Sequence, residues 1–101
     1  MSEPLGESDL VAYVGRDDPE SHLFNGQPGV VIDTGQMPVE VSVALAWGDS
    51  LCMPPGEVAR IDLREYRERS DRMRSGQHPL RDENITPLDA GDPLARPNNQ
   101  P

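Results

Sequence analysis

Hydrophobic and polar positions alternate most regularly between residues 39 and 47. The apolar side chains at every second position are Val39, Val41, Val43, Leu45 and Trp47. A period of two is typical of a strand with one buried face. On the opposite face the side chains change from the charged Glu40 to the small Ala46. We therefore expect the end of this face near Ala46 to be covered as well. The pattern predicts one long strand, a hairpin turn at Gly48 and a returning strand over residues 51–53.

Shorter apolar runs predict the remaining strands. They lie at residues 10–14, 29–33 and 57–61. Glycine and proline punctuate the segments between them, most clearly at Pro54-Pro55-Gly56. Several short strands separated in this way are typical of a small barrel. We therefore expect a mainly β fold class, a small five-stranded barrel over residues 10–61.

A single helix is predicted directly after these strands. Asp62 is a suitable N-cap, Glu65 stands at the capping-box position and Gly76 is a natural stop. Residues 63–74 are rich in helix formers, and the apolar stripe is narrow: Leu63, Tyr66 and Met73. Pairs of opposite charge at i,i+4 spacing are Arg64/Glu68, Glu65/Arg69, Arg67/Asp71 and Glu68/Arg72. Such a helix can dock along the edge of a barrel.

The segments at both ends hold too few apolar residues to form a core. Residues 1–9 are acidic and are predicted to be a flexible leader. The helical region covers residues 62–75. In the segment that follows, residues 76–101, five prolines interrupt the sequence. The apolar residues of this last segment stand singly at Leu80, Ile85, Leu88 and Leu94. We expect it to be an extended arm that contacts neighbouring subunits.

An aromatic residue and two glycines stand at fixed offsets ahead of the second strand. The residues are Phe24, Gly26, Gly29 and Val31, spaced F-x-G-x-x-G-x-V. This spacing resembles the KOW signature within the Src-homology-3-like barrels, and Trp47-Gly48 lies where such barrels place their distal hairpin. The resemblance covers about residues 10–61 and implies that these six residues define the fold. KOW domains of ribosomal and transcription-elongation proteins contact RNA or protein, so the resemblance implies either partner.

The charge of the chain bears on the choice between these partners. Nine arginines and no lysine oppose eighteen acidic residues, for a net charge of −9. Residues 1–62 hold eleven of the acidic residues and only two arginines. A surface of this sign repels phosphate backbones and anionic lipid. We therefore expect no direct binding of nucleic acid or membrane, and we favour protein partners.

No pattern of catalytic or metal-binding residues stands out. His22 and His78 lie in predicted loops and are expected at the surface, while the single cysteine, Cys52, is expected to be a small buried or half-buried apolar side chain. The chain has no nucleotide-binding glycine loop, nucleophile elbow or paired acid–base grouping. We expect no catalytic residue, no cofactor, no metal and no enzymatic activity.

Localisation and function are predicted from these features together. The N-terminus lacks the apolar run of a signal peptide, and no apolar stretch approaches the length that spans a bilayer. We expect the protein in a virion or in the cytoplasm. The leading hypothesis is a non-enzymatic structural or interaction protein, because size, charge and arm resemble bacteriophage virion accessory proteins of the head-to-tail connector or capsid-decorating kind.

The leading hypothesis assigns partner contacts to the helix and the arm. The residues are Arg64, Arg67, Arg69, Arg72, Arg74, Leu80, Ile85, Leu88 and Leu94. One alternative is an acidic inhibitor that mimics nucleic acid. Its candidate carboxylates are Asp17, Asp18, Glu20, Asp33, Glu40, Asp49 and Glu57. Another alternative is a regulatory module that binds a transcription or translation protein.

Overall fold

The structure, a computed structural model, describes residues 4–94 of the chain. Five antiparallel strands form one sheet, and one helix lies against it. The elements are β1 (Leu10–Tyr13), β2 (Pro28–Asp33), β3 (Val41–Leu45), β4 (Ser50–Met53), β5 (Val58–Arg60) and α1 (Leu63–Arg74). The prediction of a mainly β domain with one helix after the strands is confirmed at this level.

The connection between the two edge strands makes the sheet curl. The strand order is β4-β3-β2-β1-β5, so β4 and β5 lie at opposite edges. A flat sheet would place these edges about 19 Å apart. Only residues 54–57 join them, and a 3-10 turn at Pro55–Glu57 shortens this link to roughly 12 Å. The two edges are therefore closer together than in a flat sheet. The register between β2 and β3 also shifts between Val31 and Asp33, and such a bulge bends the strand. Within the described residues β4 and β5 do not pair, so the sheet is not closed.

The main core lies on one face of this curled sheet. Its buried residues are Val11, Tyr13, Leu23, Val31, Val41, Val43, Leu45, Met53 and Val58. Burial alternates along β3, as the period-two pattern predicts. Residues 4–9 of the predicted leader contact the sheet: Leu5 packs against the core, and the Ser8 N–H donates to the Val31 carbonyl over 2.7 Å. Residues 1–3 lie outside the described residues.

Helix α1 covers the opposite face along β1 and β2. Tyr66, Ser70 and Met73 are buried on the helix, and Ala46 is buried at the end of β3. The expected covering of the far end of the polar face is therefore confirmed. Leu63, the first member of the predicted stripe, stays exposed because it lies at the very start of the helix.

Both ends of α1 are set by residues that the sequence singles out. The Asp62 carboxylate accepts the Glu65 N–H over 2.8 Å. Gly76 has a φ of +80°, and its N–H donates to the Met73 carbonyl over 2.8 Å. The capping box is only half formed, because the Glu65 side chain pairs with Arg69 instead.

The long strand predicted over residues 39–47 is shorter in the structure. Val39 is 73% exposed in the turn before β3. Trp47 lies in the turn after β3, is half-buried and has a φ of +60°. Both residues keep the period of two, but β3 ends at Leu45, and the last backbone bond to β2 comes from the Ala46 N–H. Residue spacing alone does not indicate where the pairing ends.

Replacement of Gly29 by alanine tests the close packing of β2 against β3. A Cβ at Gly29 would lie 2.6 Å from Val43 Cγ1 and 3.0 Å from the Ala44 carbonyl oxygen. We expect Gly29→Ala to lower the free energy of unfolding by about 1–3 kcal/mol. Gly56→Ala is the matched control, because a Cβ there meets nothing within 4 Å. Equal denaturation midpoints for the two variants would contradict the close packing.

Candidate interaction site

A buried amide joins the loop before β2 to the turn after β3. Gln27 is fully buried, its Oε1 accepts the Phe24 N–H and its Nε2 donates to the Ala46 carbonyl, each over 2.8 Å. A Cβ on Gly48 would lie 2.7 Å from Gln27 Nε2 and 2.9 Å from the His22 carbonyl oxygen, so a side chain there would force the backbone to shift. Gly26 has a φ of +90°, a backbone conformation that glycine adopts without steric strain. This joint fixes the position of Trp47 between Ala46 and Gly48.

Trp47 in turn holds the segment that follows the helix. The backbone N–H of Trp47 donates to the Gly91 carbonyl over 2.8 Å, and the backbone carbonyl of Trp47 accepts the Leu88 N–H over 2.9 Å. Its indole Nε1 donates to Ser70 Oγ over 3.0 Å. Residues 88–91 therefore pair with the β3–β4 turn of their own chain.

Asp92 completes this contact on the helix. One of its carboxylate oxygens accepts the Tyr66 hydroxyl over 2.7 Å, and the other accepts the Ser70 hydroxyl. Tyr66 and Ser70 are buried, so these hydrogen bonds are shielded from water. Sequence analysis did not single out Asp92 or Ser70, and no local spacing connects them.

A second polar cluster holds the start of the same segment. His78 is 1% exposed, whereas sequence analysis predicted a surface position. Its Nδ1 accepts the Leu80 N–H over 3.0 Å, and its Nε2 lies 3.6 Å from Asp17 Oδ1. Arg81 binds Asp17 and lies 3.0 Å from His78 Nε2. The surface prediction was wrong because the segment folds back over the ring, and Phe24 packs edge-on against it.

The Asp17 carboxylate is the acceptor at the centre of this cluster. Partial burial opposes its ionisation, but hydrogen bonds from the Asn25 N–H and Arg81, together with the nearby His78 ring, outweigh burial and hold the pKa of Asp17 below its ordinary value of 3.8. At the other end of the sheet, the Gly6 N–H and Arg60 lower the pKa of Asp9. Asp17 therefore serves internal structure and is occupied by its own chain.

Three of the five helix arginines contact other groups of the chain, and two do not form an ion pair within residues 4–94. Arg69 donates to the Gly26 carbonyl over 2.8 Å and pairs with Glu65, and Arg72 donates to the Arg81 carbonyl over 3.0 Å. Arg74 lies 3.5 Å from Asp71. Arg64 and Arg67 are exposed and form no ion pair within residues 4–94. Of the four i,i+4 pairs, the structure forms only Glu65/Arg69.

A groove runs beside these arginines. It has a volume of about 710 Å³ and lies between the first turns of α1 and residues 79–80. Leu80, half exposed, forms its apolar wall and packs over Gly26. Ile85 and Leu88 are half-buried on their own chain, and Leu94 is exposed. The groove and the exposed Arg64 and Arg67 form what we call the α1 surface.

The remaining sequence candidates lie elsewhere. Cys52 is exposed, not buried, because β4 is an edge strand and Leu51 and Met53 occupy its inward side. Asp18, Glu20, Asp49 and Glu57 follow the end of the sheet at which Tyr13 lies, whereas Asp33 and Glu40 lie at the opposite end. The carboxylates therefore do not form one continuous stripe.

Residues 4–94 contain no group of three or more His, Cys, Asp or Glu side chains placed to hold a metal ion. In the same part of the chain, no helix has the length and apolar character needed to cross a membrane. Comparison with protein-family models, curated proteins and solved structures gives no match.

Asp17→Asn tests the polar cluster around His78. Because the pKa of Asp17 is lower in the folded chain than in the unfolded chain, its carboxylate stabilises the fold above about pH 3.8, and this is lost as the pH falls through the lower value. We expect Asp17→Asn to lower the free energy of unfolding by about 1–2 kcal/mol at neutral pH, with the difference shrinking below pH 3.8. Urea denaturation against pH measures it. Asp18→Asn is the control, and a difference independent of pH would contradict the assignment.

Asp92→Ala tests the attachment of residues 88–94. The change leaves the buried Ser70 hydroxyl without its acceptor, so we expect a loss of about 1–3 kcal/mol. Trp47 is the only tryptophan, and its emission should shift to longer wavelength as the segment loosens. Asp89→Ala is the matched control, since Asp89 is exposed and forms no side-chain bond within the described residues. Unchanged emission in Asp92→Ala would refute the role of this carboxylate.

Proposed function

We propose that the protein is a non-enzymatic structural and interaction protein that assembles with copies of itself or with neighbouring subunits. Its size, its net charge of −9 and its C-terminal segment favour the class of bacteriophage virion accessory components, of the head-to-tail connector or capsid-decorating kind. The partner surface is the α1 surface together with Leu80 and Leu94.

The observation that carries this proposal is that Arg64 and Arg67 form no ion pair within residues 4–94. Acidic residues stand one turn away at Glu68 and Asp71, yet no ion pair with them forms. Both guanidinium groups thus remain available to a carboxylate-rich partner, which arginine binds through paired hydrogen bonds. Residues 1–62 of a second copy carry eleven acidic residues and two arginines, and the exposed Asp18, Glu20 and Asp49 at one end of its sheet offer such carboxylates.

Two exposed apolar side chains add to the proposed partner contacts. Leu80 is 50% exposed and Leu94 is 41% exposed. Within residues 76–94 the predicted arm binds its own chain, where Ile85 and Leu88 are half-buried, while Leu80 and Leu94 face outward. An apolar anchor beside arginines is a common composition for the centre of a protein interface.

The fold type belongs to this proposal as well. The sheet is a half-open barrel of the Src-homology-3-like type, in which Phe24, Gly26, Gly29, Val31, Trp47 and Gly48 set the loop, the packing and the hairpin. The short link between β4 and β5 and the register break in β2 support this reading. Barrels of this type serve many roles, so the fold by itself assigns no activity.

Reversal of charge on the α1 surface tests the proposed function. We expect wild-type protein to give a light-scattering mass above the 11.1 kDa of one chain at low salt. Arg64→Glu/Arg67→Glu should lower that mass, because it removes both free cations and adds repulsion against an acidic partner. Arg16→Glu is the control for a charge reversal outside the α1 surface, since Arg16 is exposed on another loop.

In a binding assay with the native assembly, an acidic partner that the wild-type protein retains should not be retained by the double variant. Equal masses and equal retention for wild-type protein and the double variant would overturn the role of the α1 surface. Circular dichroism of both proteins checks that the helix is intact.

A further inference from the structure

The two edges of the sheet differ in how their backbone groups are satisfied. At the β5 edge, the Val58 N–H donates to the Pro55 carbonyl of the preceding 3-10 turn. Arg60 is held by Asp9 over 2.9 Å and by the Pro4 carbonyl over 2.6 Å, so the N-terminal segment flanks this edge. The strand is also only three residues long. These are ways in which proteins prevent unwanted pairing at an edge.

Within residues 4–94, no comparable turn or flanking segment protects the β4 edge. Residues 50–53 contain no charge, no proline and no bulge in their pairing with β3. A charged residue, a proline or a twist is what usually blocks an edge strand. Pro54 and Pro55 follow immediately and limit the open stretch to this one strand.

The hydrogen-bond pattern shows which groups of β4 point outward. The Leu45 N–H donates towards β4, to the Asp49 carbonyl, whereas the next N–H, that of Ala46, donates to Pro28 on the side of β2. Alternation along β3 then directs Val43 towards β4, where it pairs with Leu51. Ser50 and Cys52 therefore present their N–H and C=O groups to the open side, where none of the described residues bonds to them.

The side chains agree with this assignment. Ser42 and Cys52 lie opposite each other, with Oγ and Sγ 3.1 Å apart. Close side chains are expected of a pair that does not exchange backbone hydrogen bonds. The backbone groups of Cys52 accordingly face away from β3.

We propose that β4 pairs antiparallel with β4 of a second copy about a twofold axis, which gives a continuous sheet across the dimer. In this register Ser50 lies opposite Cys52 of the second copy and Cys52 lies opposite its Ser50, so every outward N–H and C=O of both residues finds a partner. Leu51 meets its own counterpart at the axis. The half-buried Leu51 side chain then extends the core of each copy towards the other.

Charge and symmetry identify the second copy as the occupant. The chain carries a net charge of −9, and like-charged copies meet with least repulsion where a surface has no charge, as over residues 50–53. The nearest acid, Asp49, falls opposite Met53 and not opposite another acid. The outward residues stand symmetrically about Leu51, so the strand is complementary to itself.

This inference rests on the proposed self-association and names a contact distinct from the α1 surface. The two contacts respond differently to salt. At about 1 M NaCl the screening length is about 3 Å, which weakens the pairing of arginine with carboxylate between exposed surfaces. Backbone pairing and the contact between leucines persist under these conditions.

Light scattering of full-length protein in reducing buffer at about 1 M NaCl tests the dimer. We expect the wild-type mass to be twice the 11.1 kDa of one chain. Cys52→Pro removes the outward N–H and leaves the bonds of β4 to β3 in place, so it should halve the mass. Cys52→Ser keeps the N–H, excludes a disulfide and should give the wild-type mass.

Amide exchange provides a second measurement on the same proteins. In Cys52→Ser the Ser50 amide should exchange more slowly as the protein concentration rises, and in Cys52→Pro its exchange should not depend on concentration. Denaturation midpoints confirm that both variants fold.

The remaining outcomes separate the two proposals. If Cys52→Pro keeps the wild-type mass, or if dimers exist only at low salt, self-association stands and the β4 contact is overturned. If every protein has the mass of one chain at both salt concentrations, self-association itself fails and the dimer fails with it.

Discussion

The buried amide of Gln27 is the interaction on which the other contacts depend. It satisfies the Phe24 N–H and the Ala46 carbonyl at once, in a fully buried position. Loss of the amide would orphan two buried backbone groups, at about 1–3 kcal/mol each. Since Ala46 directly precedes Trp47, the same amide fixes the turn from which Trp47 binds the C-terminal segment and the helix. A side chain before β2 thereby positions residues more than sixty positions later.

Sequence analysis succeeded where the physical signal is local. The period of two marked β3, and Asp62 and Gly76 marked the ends of α1, because strand alternation and helix capping each depend on residues a few positions apart. It failed for His78 and Cys52. The burial of His78 depends on how residues 77–94 fold back, and the exposure of Cys52 depends on which strand lies at the edge of the sheet. Residues nearby in the sequence determine neither. Gln27 lay inside the stretch that sequence analysis emphasised, yet the glycines beside it carried the recognisable pattern.

Competition for acceptors explains why the helix leaves charge exposed. Arg69 and Arg72 reach the carbonyl oxygens of Gly26 and Arg81, which are fixed by tertiary structure. A preformed carbonyl costs less side-chain entropy to engage than a mobile glutamate on the helix surface. Arg72 is thereby withdrawn from Glu68, and Asp71 lies beside Arg74 instead of Arg67, while Arg64 and Arg67 form no ion pair within residues 4–94. The i,i+4 rule describes isolated helices, and here the surrounding fold overrides it.

The two proposed contacts differ in symmetry, and this difference decides what they build together. Pairing of β4 with itself is isologous and closes at two copies. A contact between the arginines of α1 and the acidic region of another copy is heterologous, so by itself it makes a ring or an open filament. Combined, they give two rings joined back to back if the rotation closes, and paired filaments if it does not. Salt acts only on the second contact, so ionic strength alone would convert such an assembly into its dimers.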